Sequence, residues 1–375
     1  MTVPPQVHAG QAALVGRLAE RGLLAPPWRG VWERIPREHW LPEQIWVQRP
    51  DRCEPVPVTD ADARYRLTYS DSPVVTQVDD GRAGGPGVAT SANSMPSMVA
   101  KMLGLLGLED GMTVLEIGTA TGDVASKLCL RVGDDKVTSV EIDAGLATRA
   151  RANLARAGLA PAVHVTDGAG GWAPGAPYDR VIATCALRTV PSALPRQLRP
   201  GGVLVAPLVR DFASGLLSRF VKDATTGAVT GSFHGGASYM PLRAHRSTAS
   251  SAVDGTTPRH CHELLDGQPD AFTDLAFGLY AGSRLPGVHM TGSPDRLFLW
   301  DGAGVLAEEG WAAVYGRGRD LWQELLHVWQ EYVADGRPPL SDFGVTLTKD
   351  GGFRTWLRTP DAVVGPALTV PARRP

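Results

Sequence analysis

The chain has 375 residues, a formal net charge of -2 and 43% hydrophobic residues. That length and composition allow one large or two medium domains with buried cores, and they exclude a disordered chain. A charge this near neutral supplies no electrostatic basis for bulk binding to nucleic acid or to an anionic membrane, so neither is an expected partner.

Residues 11–22 carry Ala12, Leu14, Val15 and Leu18 at helical spacing, with Gly22 as a stop signal. Residues 28–46 are rich in tryptophan and proline. Residues 68–87 have no strong period and hold Gly84-Gly85-Pro86-Gly87, which reads as loop. A helix is expected after Ser94, with Met95, Met98, Val99, Met102, Leu103 and Leu106 on one side. The apolar run Val114–Ile117 then reads as a strand, residues 123–130 as a helix and residues 137–142 as a second strand. A helix over 146–157 closes at Gly158; strands follow at 163–165 and 180–183, a short helix at 194–198, and a strand at 202–208. Strands alternating with helices predict a parallel sheet covered on both faces.

From Arg243 the texture changes. Residues 245–257 are rich in Ser, Thr, Ala and Gly and read as a linker or exposed loop. Beyond them come an element at 272–279, a strand at 297–300, an amphipathic helix around 320–333, and a hairpin whose arms, 344–348 and 353–357, flank a turn at 350–352. The expected organisation is an N-terminal cap with substrate loops at 1–88, a core at 89–244 and an α+β module at 245–375.

The four cysteines, Cys53, Cys129, Cys185 and Cys261, form no C-x-x-C pair, so neither a zinc ribbon nor a disulfide framework is indicated. A reducing, cytoplasmic setting is the expectation. No basic stretch followed by an apolar one opens the chain, and no apolar run nears the ~20 residues of a transmembrane helix. His260-Cys261-His262 groups three metal-ligand types without an apparent fourth, and no metal is expected. Trp311, Trp322, Trp329 and Trp356 suit either a peptide groove or a core; Trp322 and Trp329 share one helix face, which favours core.

The most informative stretch is Glu116-Ile117-Gly118-Thr119-Ala120-Thr121-Gly122-Asp123, between the first strand and the helix after it. A glycine-rich turn at a helix N-terminus lets backbone N–H groups approach a ligand, and the acid Glu141 ending the next strand suits a ribose hydroxyl pair. The turn is not the G-x-G-x-x-G of dinucleotide binders. Glu116 puts a carboxylate where a pyrophosphate would otherwise sit, and that charge suits a cationic ligand such as S-adenosylmethionine.

Several segments together resemble the protein-L-isoaspartate O-methyltransferases. Ile35-Pro36-Arg37-Glu38-His39-Trp40-Leu41-Pro42 is similar to their V-P-R-x-x-F-x-P segment, and Tyr69-Ser70-Asp71-Ser72-Pro73 to their Y-x-D-x-P/L loop. Thr90-Ser91-Ala92-Asn93-Ser94-Met95 resembles T-I-S-A-P-H-M, Val165-Thr166-Asp167-Gly168 resembles V-x-G-D-G, and Pro177-Tyr178-Asp179 through Gln197-Leu198-Arg199-Pro200-Gly201-Gly202 resembles P-Y-D…Q-L-K-P-G-G. The family's Pro-His pair is replaced here by Asn93-Ser94, and the middle glycine of its ligand turn by Ala120.

The resemblance implies a Rossmann-like, S-adenosylmethionine-dependent α/β methyltransferase sheet with an N-terminal helical cap and an additional α+β C-terminal module. It also implies a peptide substrate, with S-adenosylhomocysteine as co-product. Ser91 is the expected active-site residue, orienting the acceptor carboxylate, and Thr90 the second candidate; the bland reading of Ser91 is a helix cap. Glu116, Gly118, Thr119, Ala120, Thr121 and Gly122 are expected to shape the methionine side of the cofactor pocket. Glu141, with Ile142 beside it, is expected at the ribose, Asp167 and Gly168 at the adenine, and Thr184 and Cys185 along the edge, Cys185 as lining rather than nucleophile. The segment from His245 has no expected counterpart in ordinary repair enzymes. That segment and the Asn93-Ser94 change lead to the expectation of a relative that methylates an aspartate of a cyclised, ribosomally made (graspetide-type) precursor peptide, which then closes to an aspartimide. Repair of isoaspartyl residues in damaged proteins is the alternative, and a non-catalytic peptide-binding protein the alternative of another class. Oligomeric state is left unassigned.

Overall fold

The computed structural model describes residues 5–49, 52–209, 212, 214–246, 258–263, 272–293, 296–301, 304–308, 311–315, 319–348 and 352–365. They fall into two compact units: Met1–Cys185 with Ala193–Ala206, and Ala186–Ser192 with Pro207–Pro375. These divisions differ from those expected at 88/89 and 244/245. The N-terminal segment shares the first unit's core, where Trp40 packs with Ala125, Ala147, Leu154 and Val163.

In the first unit, α1 (Pro5–Glu20) buries Leu14, Val15 and Leu18 and ends at Gly22, whose φ of 69° a side chain would resist. α2 (Pro26–Arg34) follows, begun by prolines whose missing N–H costs nothing in a first helical turn. Strands β1 (Trp46–Gln48), β2 (Cys53–Pro55), β3 (Val74–Val78) and β4 (Ala89–Asn93) form a small sheet of order β2-β1-β3-β4, with α3 (Ala61–Thr68) inserted between β2 and β3. β3 lies inside the segment expected to be loop. Val74, Val75, Thr76 and Gln77 are all buried, so neither face alternates with solvent and periodicity gives no sign of it.

α4 (Pro96–Leu106) buries Val99, Met102, Leu103 and Leu106, the side expected from sequence, and ends at Gly107 in the left-handed region. Next come β5 (Val114–Ile117), α5 (Asp123–Val132), β6 (Val137–Glu141), α6 (Ala144–Arg156), β7 (Ala162–Val165), β8 (Tyr178–Ala183), α7 (Ala193–Arg196) and β9 (Leu198–Val209). β5 pairs in parallel with β6 and with β8, β6 with β7, and β8 with β9, giving the order β9-β8-β5-β6-β7. Every residue of β5 is buried. The strand order reverses beside β5, so the crevice at its carboxyl end is where a sheet of this kind takes its ligand.

The second unit holds β10 (Ser214–Lys222) and β11 (Val229–Gly236), an antiparallel pair with a register shift between Leu216 and Ser218. Neither was visible in the sequence, because Gly215, Gly231, Gly235 and Gly236 interrupt their apolar pattern. β12 (His260–Glu263), α8 (Leu275–Arg284), β13 (His289–Ser293), β14 (Arg296–Trp300), β15 (Gly304–Glu308), β16 (Trp311–Val314), α9 (Leu321–Ala334), β17 (Phe343–Leu347) and β18 (Phe353–Leu357) complete it. The antiparallel sheet β12-β16-β15-β14-β13 buries Leu297, Leu299, Val305, Ala307, Ala312 and Val314. α9 packs on that sheet and buries Leu321, Trp322, Leu325 and Val328. The expected hairpin is present as β17 and β18, and β17 also pairs with β11. Trp322 is fully buried against Phe272, and Trp329 packs on Phe272 and Phe277, as a core reading requires; Trp311 is 55% exposed. Most of the expected linker (residues 247–257) and part of the hairpin turn (349–351) lie outside the described residues.

Candidate active site

The turn after β5 takes a conformation that side chains resist. Gly118, Ala120 and Gly122 have φ of 99°, 48° and 90°. A Cβ on Gly118 would lie 2.8 Å from the Thr184 hydroxyl, and one on Gly122 would lie 3.2 Å from Leu154. Thr184 donates its hydroxyl to the Gly118 carbonyl at 2.6 Å and so holds the turn against the end of β8. Ala120 occupies the left-handed region without glycine's freedom, at a cost of roughly 1–2 kcal/mol that the surrounding contacts must offset.

Two carboxylates organise the turn, and they differ in kind. Glu116 is wholly enclosed on β5. Its Oε2 accepts from Ser139 Oγ at 2.5 Å, and Ser139 Oγ lies 2.6 Å from Thr119 Oγ1. Oε1 has no partner among the described residues. Burial pushes the carboxyl up to about 8; the Ser139 hydroxyl works against that, while Glu141 and Asp123 add to it. Glu141, 7% exposed at the end of β6, accepts from the Ala120 N–H at 2.9 Å through Oε2 and from the Asp143 N–H at 3.0 Å through Oε1. Burial raises its pKa and these backbone donors pull it back. Each of its oxygens keeps a further lone pair for a ligand hydroxyl.

Asp167 begins the turn after β7, its Oδ1 held by the Ala169 N–H at 2.9 Å, with Gly168 buried beside it. Ile142 and Thr184 are half-buried at the same carboxyl edge. The Cys185 thiol is pushed up to about 12 by burial, with Glu141 and Asp167 contributing through their charge, so it is a neutral lining group. The parallel pairing of β5 with β6 and β8, and of β6 with β7, sets these residues at neighbouring carboxyl ends of the sheet.

Ser91 lies within β4, not at a helix terminus: α4 has Met95 as its N-cap, with no side-chain hydrogen bond. The capping alternative for Ser91 is thereby removed. Ser91 is 4% exposed, and its Oγ accepts from Thr76 Oγ1 at 3.2 Å. Thr90, one residue earlier, donates to Gln77 Oε1 and accepts from the Asp80 N–H, both at 3.0 Å, which ties it into the β3–β4 connection. Asn93, on the same strand as Ser91, reaches the turn after β5: its Nδ2 donates to Asp123 Oδ2 at 3.2 Å and to Thr121 Oγ1 at 3.4 Å. Thr76 also lines a cavity of about 360 Å³ whose wall includes Ala120 and Thr121, with Arg149, Asn153 and Arg156 along α6. Guanidinium groups there suit an acidic ligand.

The sequence reading missed the polar assembly that holds Asn93. Arg37 is 4% exposed. Its Nε donates to Asn93 Oδ1 at 2.7 Å, and its other nitrogens donate to the carbonyls of Thr68, Ser70, Ser72, Asn93 and Ser94. Burial lowers its pKa to about 10, while Asp123 and Asp71 support the charge. Asp123 is paired in turn with Lys127, which lies 4.5 Å over the Trp32 ring. The only local clue was Arg37 directly after Pro36 in the matched segment; partners 31 to 57 residues away leave none.

A family model described as protein-L-isoaspartate(D-aspartate) O-methyltransferase matches residues 60–247. Among curated proteins, the protein-L-isoaspartate O-methyltransferase of Thermococcus onnurineus is 42% identical over 151 residues, 40% of this chain and 68% of that protein. The enzyme of the same name from Rhodopseudomonas palustris (strain CGA009) is 34% identical over 207 residues, 55% of this chain and 80% of that protein. A solved structure titled protein-L-isoaspartate O-methyltransferase superposes with a TM-score of 0.55 at 19% identity, covering 93% of this chain and all of that one. That last match shows fold alone, but it reaches far past residue 245. At the level of fold it extends into the segment from His245 that was expected to have no counterpart.

Proposed function

Because this chain belongs to the protein-L-isoaspartate(D-aspartate) O-methyltransferase family and is an S-adenosylmethionine-dependent protein carboxyl O-methyltransferase, we propose that its substrates are L-isoaspartyl residues of damaged proteins. S-adenosylmethionine supplies an electrophilic methyl group and leaves as S-adenosylhomocysteine. The residues that fit it are those of the left-handed turn, with the Glu141 carboxylate at the ribose and Asp167 at the base, while Glu116, which burial keeps protonated at neutral pH, lies enclosed beneath the turn with one oxygen unpartnered.

The acceptor carboxylate has a reference pKa of ~4 and is ionised at neutral pH, so no general base is needed. The protein's contribution is alignment and the exclusion of water. In this reading the Ser91 hydroxyl donates to one carboxylate oxygen and holds the other toward the methyl group, and Thr76 supports Ser91 from the next strand. Once the ester has formed, the following backbone nitrogen attacks it. The C–N bond closes a five-membered imide as the C–O bond breaks, and methoxide leaves with the amide proton as methanol.

The observation that carries the proposal is β4 itself. It presents Ser91 from a buried position, while two residues on Asn93 ties the strand to Thr121 and Asp123 of the donor turn. The same observation weakens the reading of a dedicated precursor-peptide enzyme. Asn93 has an internal duty toward Arg37, and the C-terminal part has a counterpart of the same fold. Incubation with labelled S-adenosylmethionine and a matched pair of short peptides, one isoaspartyl and one aspartyl, tests the proposal. Methyl transfer to the isoaspartyl member is expected. Transfer to neither, with transfer to a cyclised precursor peptide, defeats it.

A further inference from the structure

We propose that His260, His262 and Asp320 form a binding site for a late first-row divalent metal ion, of which Zn²⁺ is the type, in the second unit. The site is independent of the methyl-transfer residues. The sequence offers the two histidines and no further ligand; the fold supplies it from 60 residues away. His260 and His262 are alternate residues of the edge strand β12, so both imidazoles fall on one face, while Cys261 between them is exposed on the other. Their neighbours in β16, Val314 and Ala312, are buried on the sheet's packed side, where α9 begins. Asp320 is the N-cap of α9.

The three ligand atoms converge. His260 Nε2 lies 2.5 Å and His262 Nε2 2.9 Å from the same oxygen, Asp320 Oδ2, and all three lie within 4.8 Å of one another. The two rings are 4.9 Å apart and close to perpendicular. The other carboxylate oxygen is committed to the cap, accepting from the Gln323 N–H at 3.1 Å, so the carboxylate is held in place and offers Oδ2 alone. Arg319, next in the chain, is taken up by Glu324 and Asp301, which keeps its charge off Asp320.

Two neutral imidazoles and one carboxylate are a ligand set for Zn²⁺ and its neighbours rather than for Ca²⁺ or Mg²⁺. Zn–N and Zn–O bonds of about 2.0–2.2 Å place tetrahedral ligand atoms roughly 3.3 Å apart, so the two His–Asp320 separations need open by less than about 1 Å to admit the ion. Each ring then carries its proton on Nδ1 and turns a lone pair at Nε2 toward the metal. The site's partial exposure leaves a fourth position to water. The bound ion would fasten the sheet's edge strand to the start of α9.

The test uses the full chain, stripped with a chelator and titrated with Zn²⁺ against a chromophoric competitor. One ion per chain is expected, with affinity at least a hundredfold weaker in His262→Gln and in Asp320→Asn, and unchanged in Cys261→Ser. Asn is a good N-cap, so Asp320→Asn separates the ligand from the helix cap. Substitution of Co²⁺ into the unaltered chain gives a second readout that needs no variant: visible d–d bands without a thiolate charge-transfer band. Absence of metal uptake, uptake unaffected by His262→Gln, or a thiolate band would overturn the assignment.

Discussion

At the residue scale, the site separates an acid fixed in place for the proposed ribose contact from an acid that stores a cost. Glu141 is anchored by two backbone N–H groups, whereas Glu116 has one hydroxyl and an empty oxygen. The folded-state pKa of Glu116, about 8, lies above the value of an unfolded glutamate, so between about pH 4.5 and 8 the folded chain holds a proton that the unfolded chain has released. Its contribution is therefore fully present below that window and is lost as pH rises through it. Thermal melts of the cofactor-free chain should show Tm falling from pH 5 to 8 more steeply than in Glu116→Gln; parallel curves would contradict the assignment. Ser91→Ala is expected to lower kcat about 10- to 100-fold while S-adenosylhomocysteine binding, followed calorimetrically, stays within about twofold, because the hydroxyl acts on the acceptor and not on the donor. Ala120 tests the turn itself. At φ of 48°, Ala120→Gly relieves strain but adds unfolded-state entropy, and a net gain of roughly 0.5–1 kcal/mol is expected from urea unfolding.

At the element scale, the short strand β4 is held in place by one buried guanidinium. Arg37 satisfies carbonyls in two separate stretches, 68–72 and 93–94, and the side chain of Asn93, in a planar fork that an ammonium group cannot reproduce. Arg37→Lys should cost about 2–4 kcal/mol in urea unfolding and loosen β4. It should then depress methyl transfer by more than the loss of folded protein explains, a comparison made on the folded fraction at low denaturant. β4 also shows why the site was only partly legible. Ser91 could be found from its segment, but its role beside Thr76 depends on the register of β3 and β4, and β3 carries no alternation to announce it.

At the scale of the whole molecule, the decisive feature is where the units part. β10 and β11 belong with the C-terminal hairpin, since β11 pairs with β17 across more than a hundred residues of sequence. A chain ended at residue 246, where texture alone would place the boundary, strips β11 of that neighbour and exposes a strand edge. It is expected to aggregate or to lose cooperative unfolding by calorimetry. A soluble fragment with an unchanged transition would contradict the division. Among the described residues, no helix is long and apolar enough to cross a membrane.

The sequence by itself determined the parallel sheet, the glycine-rich turn after β5 and the acids at the ends of β6 and β7. Each is written in a local pattern: an apolar run, glycines where φ turns positive, an acid at a strand end. Tertiary structure alone decided which polar groups meet. Arg37 with Asn93 and Asp123, Glu116 with Ser139, and His260 and His262 with Asp320 are pairings set by packing and strand register between distant segments. A hydrogen bond depends on distance in space, and no local pattern in the chain encodes that distance.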